Sequence, residues 1–309
     1  MLRKKKQAVI LGGMFSLLFS LFASSCASFA NLLFRKNGET TSSPNVYLTI
    51  YYLSSLLCAI FIFQIWNKTF NPAALFLGST VGFLNIGLML ATAYALTQGP
   101  SGLTFAFQNA SAIFPGFILF LLFGTPLGFS FTLLQGVGLI LVLVGLFNGA
   151  QSGEAKNFKQ WLRVAMLCFA LQVLALTLIQ GRCILFDCSK LPPFWNHFAL
   201  TPQDDGWFAL GQFGTASLFQ FLLAFREAKT IPSRSITLGL CAGAANFGST
   251  FLLLLATKVA LPETKGLLFP FFCVGNILLC NVWAWKLYKE KFNWTSNALC
   301  TAGILIGIL

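Results

Sequence analysis

Long apolar runs separated by short polar breaks make up most of this chain. A membrane-spanning helix needs about 20 mostly apolar residues, and the breaks contain either charge, as at 35–39, or proline, as at Gly99-Pro100. We therefore predict an all-α membrane protein with about ten transmembrane helices. The ten runs cover residues 8–34, 46–66, 73–97, 102–123, 127–148, 161–185, 207–225, 235–258, 265–287 and 293–309.

The first run has a second interpretation. Arg3–Lys6 precedes an apolar stretch, and Ser28-Phe29-Ala30 resembles a signal-peptidase cleavage site. The stretch is longer than the apolar core of a signal peptide, which has about 7–15 residues. We favour an uncleaved first helix.

A weak internal repeat divides the ten runs into two sets of five. The Gly-x-x-Asn-x-Gly phrase at 82–87 recurs at 243–248, and Pro100 and Pro262 align at nearly the same offset. An odd number of spans per copy places the copies in opposite orientations. We predict two inverted five-helix repeats, 1–150 and 151–309, with Asn85 and Asn246 related by a pseudo-two-fold axis in the membrane plane.

Composition supports a lipid environment. The chain of 309 residues is 57% hydrophobic and 9% charged, whereas soluble proteins average about 45–50% and about 25%. The net charge of +12 lies in short clusters between apolar runs. Such clusters anchor helix ends to lipid headgroups, so we expect the lipid bilayer and no nucleic acid as a partner.

Loop charges give a divided prediction of orientation. Basic residues of the first half favour a cytoplasmic N-terminus, and those of the second half favour the reverse. We keep the N-terminus inside and predict a multi-pass protein of a bacterial inner (cell) membrane. The oligomeric state, monomer or homodimer, stays open.

Residues typical of enzymes and metal sites are sparse. Nine cysteines and one histidine show no zinc-ligand spacing, so we predict neither metal nor cofactor. Whether Cys183 and Cys188 form a disulfide is open. No run interior contains Asp or Glu, and no phosphate loop or nucleophile motif is present, so we predict a protein that is not an enzyme.

Polar residues recur at helical spacing inside several runs. Such residues line either a solute path or a close helix contact, and both interpretations stay open for the glycine- and asparagine-containing faces of the third and eighth runs. In the fourth run Gln108 and Asn109 place two amides near mid-bilayer. In the ninth, aromatic and amide side chains share a face. The predicted substrate-binding residues are Asn85, Gln108, Asn109, Asn246, Phe272, Asn276 and Lys265.

The second half resembles the closing part of an EamA-like repeat of the drug/metabolite transporter superfamily. The residues that carry this resemblance are Phe269-Pro270, Gly275, Leu278-Leu279, Lys289–Lys291 and Gly303. In the first half Gly124–Gly128 replaces the acidic residue that Glu290 supplies in the second. The resemblance implies ten helices in two inverted repeats, a central cavity and alternating access. It does not identify a substrate, because the superfamily carries many.

These observations predict a secondary transporter for a small polar organic metabolite. The alternative is a membrane protein that does not transport, either a scaffold or receptor or an intramembrane transferase. Lys258 and Lys265 flank the hairpin at 262–264, although Glu263 could neutralise either of them. With no carboxylate inside a run, we expect exchange or facilitated transport of a neutral, zwitterionic or anionic solute, without proton coupling.

Overall fold

The computed structural model describes residues 2–39, 43–124, 129, 131–151, 157–186, 188–225, 232–260, 268–290 and 293–308. It is 90% helical, with no strand in those ranges. The α-helices are α1 Leu2–Asn37, α2 Pro44–Phe63, α3 Pro72–Gln98, α4 Ser101–Ala110, α5 Phe114–Phe123, α6 Leu133–Gln151, α7 Phe158–Gly181, α8 Asp205–Phe225, α9 Ser233–Val259, α10 Leu268–Tyr288 and α11 Trp294–Ile308.

Eight segments in the described ranges, of 20 to 29 residues each, are long and apolar enough to cross a bilayer. Two of the predicted spans are shorter, with apolar helices at Leu133–Asn148 and Trp294–Ile306. These two pack against each other, and the Ser296 hydroxyl donates a 2.7 Å hydrogen bond to the Gly145 carbonyl. The protein is an all-α, multi-pass membrane protein.

Local sequence explains where several helices begin. Pro44 and Pro72 each occupy a first-turn position, where a missing N–H costs nothing. The Asn71 side chain caps α3 by accepting hydrogen bonds from the amides of Ala73 and Ala74, at 3.0 and 3.2 Å. The predicted fourth span is not continuous, because a 3₁₀ turn at Ser111–Ile113 separates α4 from α5 just before Pro115.

Connections identify the two ends of the bundle. Lys68, after α2, donates through Nζ to the Gln203 carbonyl at 2.9 Å, and the Trp207 indole donates to the Thr69 carbonyl at 2.6 Å. The α2–α3 and α7–α8 connections therefore lie together, at what we name the α8 end. Glu290, after α10, contacts the first residues of α4, and this opposite side is the α4 end.

The long helices pack in a recurring pattern. Helix α1 packs against α9 and α10, while α7 packs against α3, α4 and α5; α3 packs against α8, and α9 against α2. Glycines allow the last two contacts to be close. A methyl on Gly78 or Gly82 would overlap the backbone of α8, and one on Gly239 or Gly243 would crowd α2. These four glycines are packing residues.

The segment between α7 and α8 is a series of 3₁₀ turns. Cys183 and Cys188 are both free thiols there, so the disulfide that the sequence left open is not formed. Asp204 ends the segment with a capping box, in which its carboxylate accepts the Thr201 amide at 2.7 Å. The same carboxylate accepts a 3.0 Å hydrogen bond from Asn71, which connects the segment to the start of α3.

Candidate functional site

A polar cavity of about 110 Å³ lies inside the bundle, between helices of both halves of the chain. Helices α1–α4 and α7–α10 all contribute to its wall. Its polar and aromatic lining residues are Asn31, Tyr51, Tyr52, Asn85, Gln108, Asn109, Gln172, Gln212, Asn246, Ser249, Thr250, Phe272 and Asn276.

The cavity lies halfway along the longest helices that surround it. Asn85 is the central residue of the 27-residue α3, and Asn246 is the central residue of the 27-residue α9. Both side chains line the cavity. Polar groups at the middle of a spanning helix are costly unless they face partners or water, so their position favours a solute site.

Six of the seven residues predicted to bind substrate line this one cavity: Asn85, Gln108, Asn109, Asn246, Phe272 and Asn276. The seventh, Lys265, lies outside the described residues. Their substrate-binding role stays a prediction, but the structure brings together side chains that lie up to 191 positions apart in the sequence.

Some of these amides are already engaged with the protein. Asn276 donates through Nδ2 to the Asn109 side-chain oxygen at 2.6 Å, across the α4–α10 contact. Gln108 accepts the Thr92 hydroxyl at 3.3 Å through Oε1. Asn246 donates to the Ser55 hydroxyl at 3.3 Å. These bonds fix the orientation of one edge of each amide and leave other donors or acceptors for the cavity.

Other lining amides have no hydrogen-bond partner among the described residues. Gln212 is 4% exposed, and its buried side-chain oxygen accepts no hydrogen bond from a described residue. The side chains of Asn85 and Gln172 likewise make no hydrogen bond to a described residue. An unpaired buried amide oxygen costs about 1–3 kcal/mol, and this cost applies to Gln212; Asn85 and Gln172 are only half-buried, so their amides face the cavity without that penalty.

Sequence reasoning missed several lining residues. On the first helix Ser20 and Ser24 contact α10, whereas Asn31 reaches the cavity and is not among the predicted binding residues. Gln172 and Gln212 were not selected at all. Each is an isolated amide in an apolar helix. Asn109 was selected because polar side chains within a spanning helix are costly, and the same argument would have selected these two.

Three charged side chains, two of them buried and the third partly exposed, form a cluster at the α8 end. Asp205 lies between Arg182, at 3.2 Å, and Lys258, at 2.9 Å. Arg182 and Asp205 are 1% and 2% exposed. Arg182 also donates to the Ile179 carbonyl at 3.1 Å and to the Thr257 hydroxyl at 3.4 Å. The cluster therefore joins the ends of α7 and α9 to the start of α8.

This cluster bears on two expectations from the sequence, the position of carboxylates and the start of the eighth helix. The apolar segment Pro202–Phe225 includes Asp204 and Asp205 among its first four residues, so these carboxylates lie at its end and do not contradict the prediction that no span interior contains Asp or Glu. The prediction placed the start of the helix at 207, but the capping box at Thr201–Asp204 starts the helical segment earlier. Lys258 pairs with Asp205; Glu263, the partner weighed from the sequence, lies outside the described residues.

At the α4 end, Glu290 caps the helix that carries Gln108 and Asn109. Its carboxylate accepts hydrogen bonds from the amides of Ser101 and Gly102, both at 2.9 Å, and from the Ser101 hydroxyl. A carboxylate at a helix N-terminus pairs with unsatisfied amides and with the positive end of the helix dipole. This contact holds α4 to the end of α10.

Within the described ranges, no three His, Cys, Asp or Glu side chains are grouped so that they could hold a metal ion. The lining side chains among the described residues are also uncharged, and eight of them are carboxamides. The arrangement can offer hydrogen bonds and aromatic surface to a solute.

Comparisons with known proteins bear on the fold alone. No protein-family model matches the chain. No curated protein sequence matches it. A solved structure described only as "Crystal structure of protein" is similar over 95% of this chain and 96% of its own, with a TM-score of 0.62 and 14% identity. At that identity the similarity concerns the path of the whole chain and not its activity.

Proposed function

We propose that this protein is a secondary transporter that moves a small polar organic solute across a membrane by alternating access. The observation that carries the proposal is the cavity at the middle of the long apolar helices, lined by amides from both halves of the chain. Transporters bind their substrates near the bilayer midplane between two repeats, and polar side chains kept at that depth without partners need a purpose.

The proposal includes ten spanning helices in two inverted five-helix repeats, as in EamA-like transporters. In support, the two close glycine contacts correspond at an offset of 161 residues. Gly82 approaches the Gln212 carbonyl on α8, and Gly243 approaches the Tyr51 carbonyl on α2. The same offset relates Gly78, beside Phe208, to Gly239, beside the Tyr47 carbonyl. Each half thus presents the same glycines to the same place on the other half.

Helix packing supports the repeat independently of sequence. Exchanging the halves maps α1 onto α7, α2 onto α8, α3 onto α9, the α4–α5 unit onto α10, and α6 onto α11. Under this exchange the α1–α9 contact becomes α7–α3, and the α3–α8 contact becomes α9–α2. Both members of each pair are present. Two similar halves that meet at a central site can rock about it, which is the basis of alternating access.

Exchange in proteoliposomes tests this function. Vesicles loaded with an unlabelled panel of neutral, zwitterionic and anionic metabolites should accumulate the labelled form of one of them without a pH gradient. Protein-free vesicles should not. Absence of exchange for every solute in the panel would favour the scaffold or receptor alternative. Strict dependence on an imposed pH gradient, unchanged in Lys265→Gln, would contradict the expected mode of coupling.

The Gln108→Leu variant connects transport to the cavity. Interhelical hydrogen bonds in membranes average about 0.6 kcal/mol, so this variant should fold nearly as well as the parent protein and exchange more slowly. Gln220→Leu is its matched control, since Gln220 is buried in α8 away from the cavity. Equal exchange rates for both variants would exclude Gln108 from the solute path.

A further inference from the structure

The residues that line the cavity indicate which chemical class of solute it can bind. Among its described residues the wall has eight carboxamides, two tyrosines and one phenylalanine, and no charged group. Three amides, on Asn85, Gln172 and Gln212, have no hydrogen-bond partner within the described part of the chain. Gln212 is almost fully buried.

We propose that the solute is an uncharged, single-ring heteroaromatic compound with hydrogen-bond donors and acceptors along its edge. Pyrimidine bases and pyridine carboxamides have this chemistry. The inference names the substrate class of the proposed transporter and rests on the assignment of that cavity as the solute site. It also narrows the expectation from the sequence, which left zwitterions and anions open.

Charge is the first argument. An ionised solute taken out of water needs a paired charge, because the desolvation of a lone ion is far more costly than that of a neutral polar group. Two described cations at the ends of wall helices, Arg182 after α7 and Lys258 on α9, contact Asp205, and Arg182 also donates to the Ile179 carbonyl. Neither lines the cavity. The described part of the wall therefore suits neutral polar groups and offers no charge that could pair with an ion of either sign.

Size is the second argument. The cavity of about 110 Å³ is of the same order as the ~150 Å³ cavity that accepts one benzene ring in a protein interior, and it is not fully enclosed. One compact ring fills a space of this order, whereas a nucleoside or a disaccharide does not. Aromatic surface from Tyr51, Tyr52 and Phe272 suits a flat ring, because stacked or edge-on aromatic contacts add to the burial of area.

Hydrogen-bond pattern is the third argument. A carboxamide offers a donor and an acceptor side by side, the arrangement with which Asn and Gln read the edge of a nucleobase. Gln212 and Asn85 have both groups free of partners in the described residues, and Gln108 has its NH₂ group free. These residues lie on three different helices, α8, α3 and α4. These amides can therefore hydrogen-bond a planar solute at several points along its edge.

Equilibrium binding to the purified full-length protein in detergent tests this class. Uracil and nicotinamide are the neutral probes. Uracil-6-carboxylate and 1-methylnicotinamide are their anionic and cationic counterparts with nearly the same ring. By calorimetry, at least one neutral probe should bind, and its charged counterpart should bind at least about tenfold more weakly.

Two variants locate the binding. Gln212→Leu should lower the affinity for the neutral probe roughly tenfold, which corresponds to the loss of one or two hydrogen bonds. Gln220→Leu makes the same change two turns along the same helix, at a residue that is 0% exposed and does not line the cavity. It should bind the probe as the parent protein does.

Three results would overturn the inference: no binding of either neutral probe at millimolar concentration, equal binding of neutral and charged probes, or equal affinities of the Gln212→Leu and Gln220→Leu variants. Failure of the transport function is a separate result. Binding of a neutral ring without exchange in vesicles would contradict the transporter assignment but not the substrate class. Exchange of an ion or a polyol would contradict the substrate class but not the transporter assignment.

Discussion

At the scale of single residues, one helical face can serve two purposes. On α3 the glycines at 78 and 82 pack against α8, while Asn85 and Met89 on the same stripe line the cavity. Spacing in the sequence identifies a face but not its neighbour. The sequence therefore predicted six of the residues that line the cavity, but left open whether their helical faces serve packing or a solute. In the structure the glycines of these faces pack against other helices, and the asparagines line the cavity.

The Gly243→Ala variant tests whether the glycines of these faces are needed for close helix packing. Its new methyl would overlap the Tyr51 carbonyl on α2, so we expect a loss of stability of about 1–3 kcal/mol from overpacking. Gly248→Ala on the same helix is the control, because its methyl would only come to 3.6 Å from the Cys26 sulfur. Thermal unfolding in detergent should separate the two variants, and equal midpoints would show that the α2–α9 contact is looser than described.

At the scale of elements, the positions of the spans could be predicted but their ends could not. Apolar length shows that a helix crosses the bilayer, whereas caps and buried ion pairs depend on residues distant in sequence. Asp205 starts α8 because Arg182 and Lys258 neutralise it there. Glu290 was identified as the acidic residue of a repeat, but its partner at Ser101 is 189 positions away.

The Asp205→Asn variant should strongly destabilise the protein. It leaves the Arg182 guanidinium buried without its carboxylate, and breaking a buried ion pair from one side costs about 3–5 kcal/mol. The double variant Arg182→Met with Asp205→Leu removes both charges and should recover much of that loss. Unfolding midpoints of the two variants provide the test; a double variant less stable than Asp205→Asn would contradict this account of the cluster.

The Glu290→Gln variant should disturb α4 in particular. Loss of the carboxylate from its N-terminus should cost about 1 kcal/mol and loosen the helix that presents Gln108 and Asn109. We expect slower exchange in vesicles together with a small drop in the unfolding midpoint. Lys286→Gln, an exposed change on α10, is the control. Unchanged exchange in Glu290→Gln would mean that the cap does not position the cavity amides.

At the scale of the whole molecule, two halves meet around one polar cavity. The five-plus-five division was predicted from a short repeated phrase and stays a prediction; the glycine contacts and the helix packing, which also correspond between the halves, support it. The proposed correspondence of α2 with α8 could not be predicted from the sequence, because Tyr51 and Gln212, which it pairs, have unrelated side chains. The orientation in the membrane and the bacterial inner-membrane location stay predictions.

The central claim is that this cavity opens alternately to the two sides of the membrane. Ser249 is 5% exposed and lines the cavity, so a thiol placed there by Ser249→Cys reports access to it. Sealed vesicles of both orientations are treated with a membrane-impermeant maleimide, and mass spectrometry of the peptide containing residue 249 distinguishes it from native thiols. We predict labelling from both sides, reduced by a bound solute. Labelling from one side only, or from neither, would contradict alternating access.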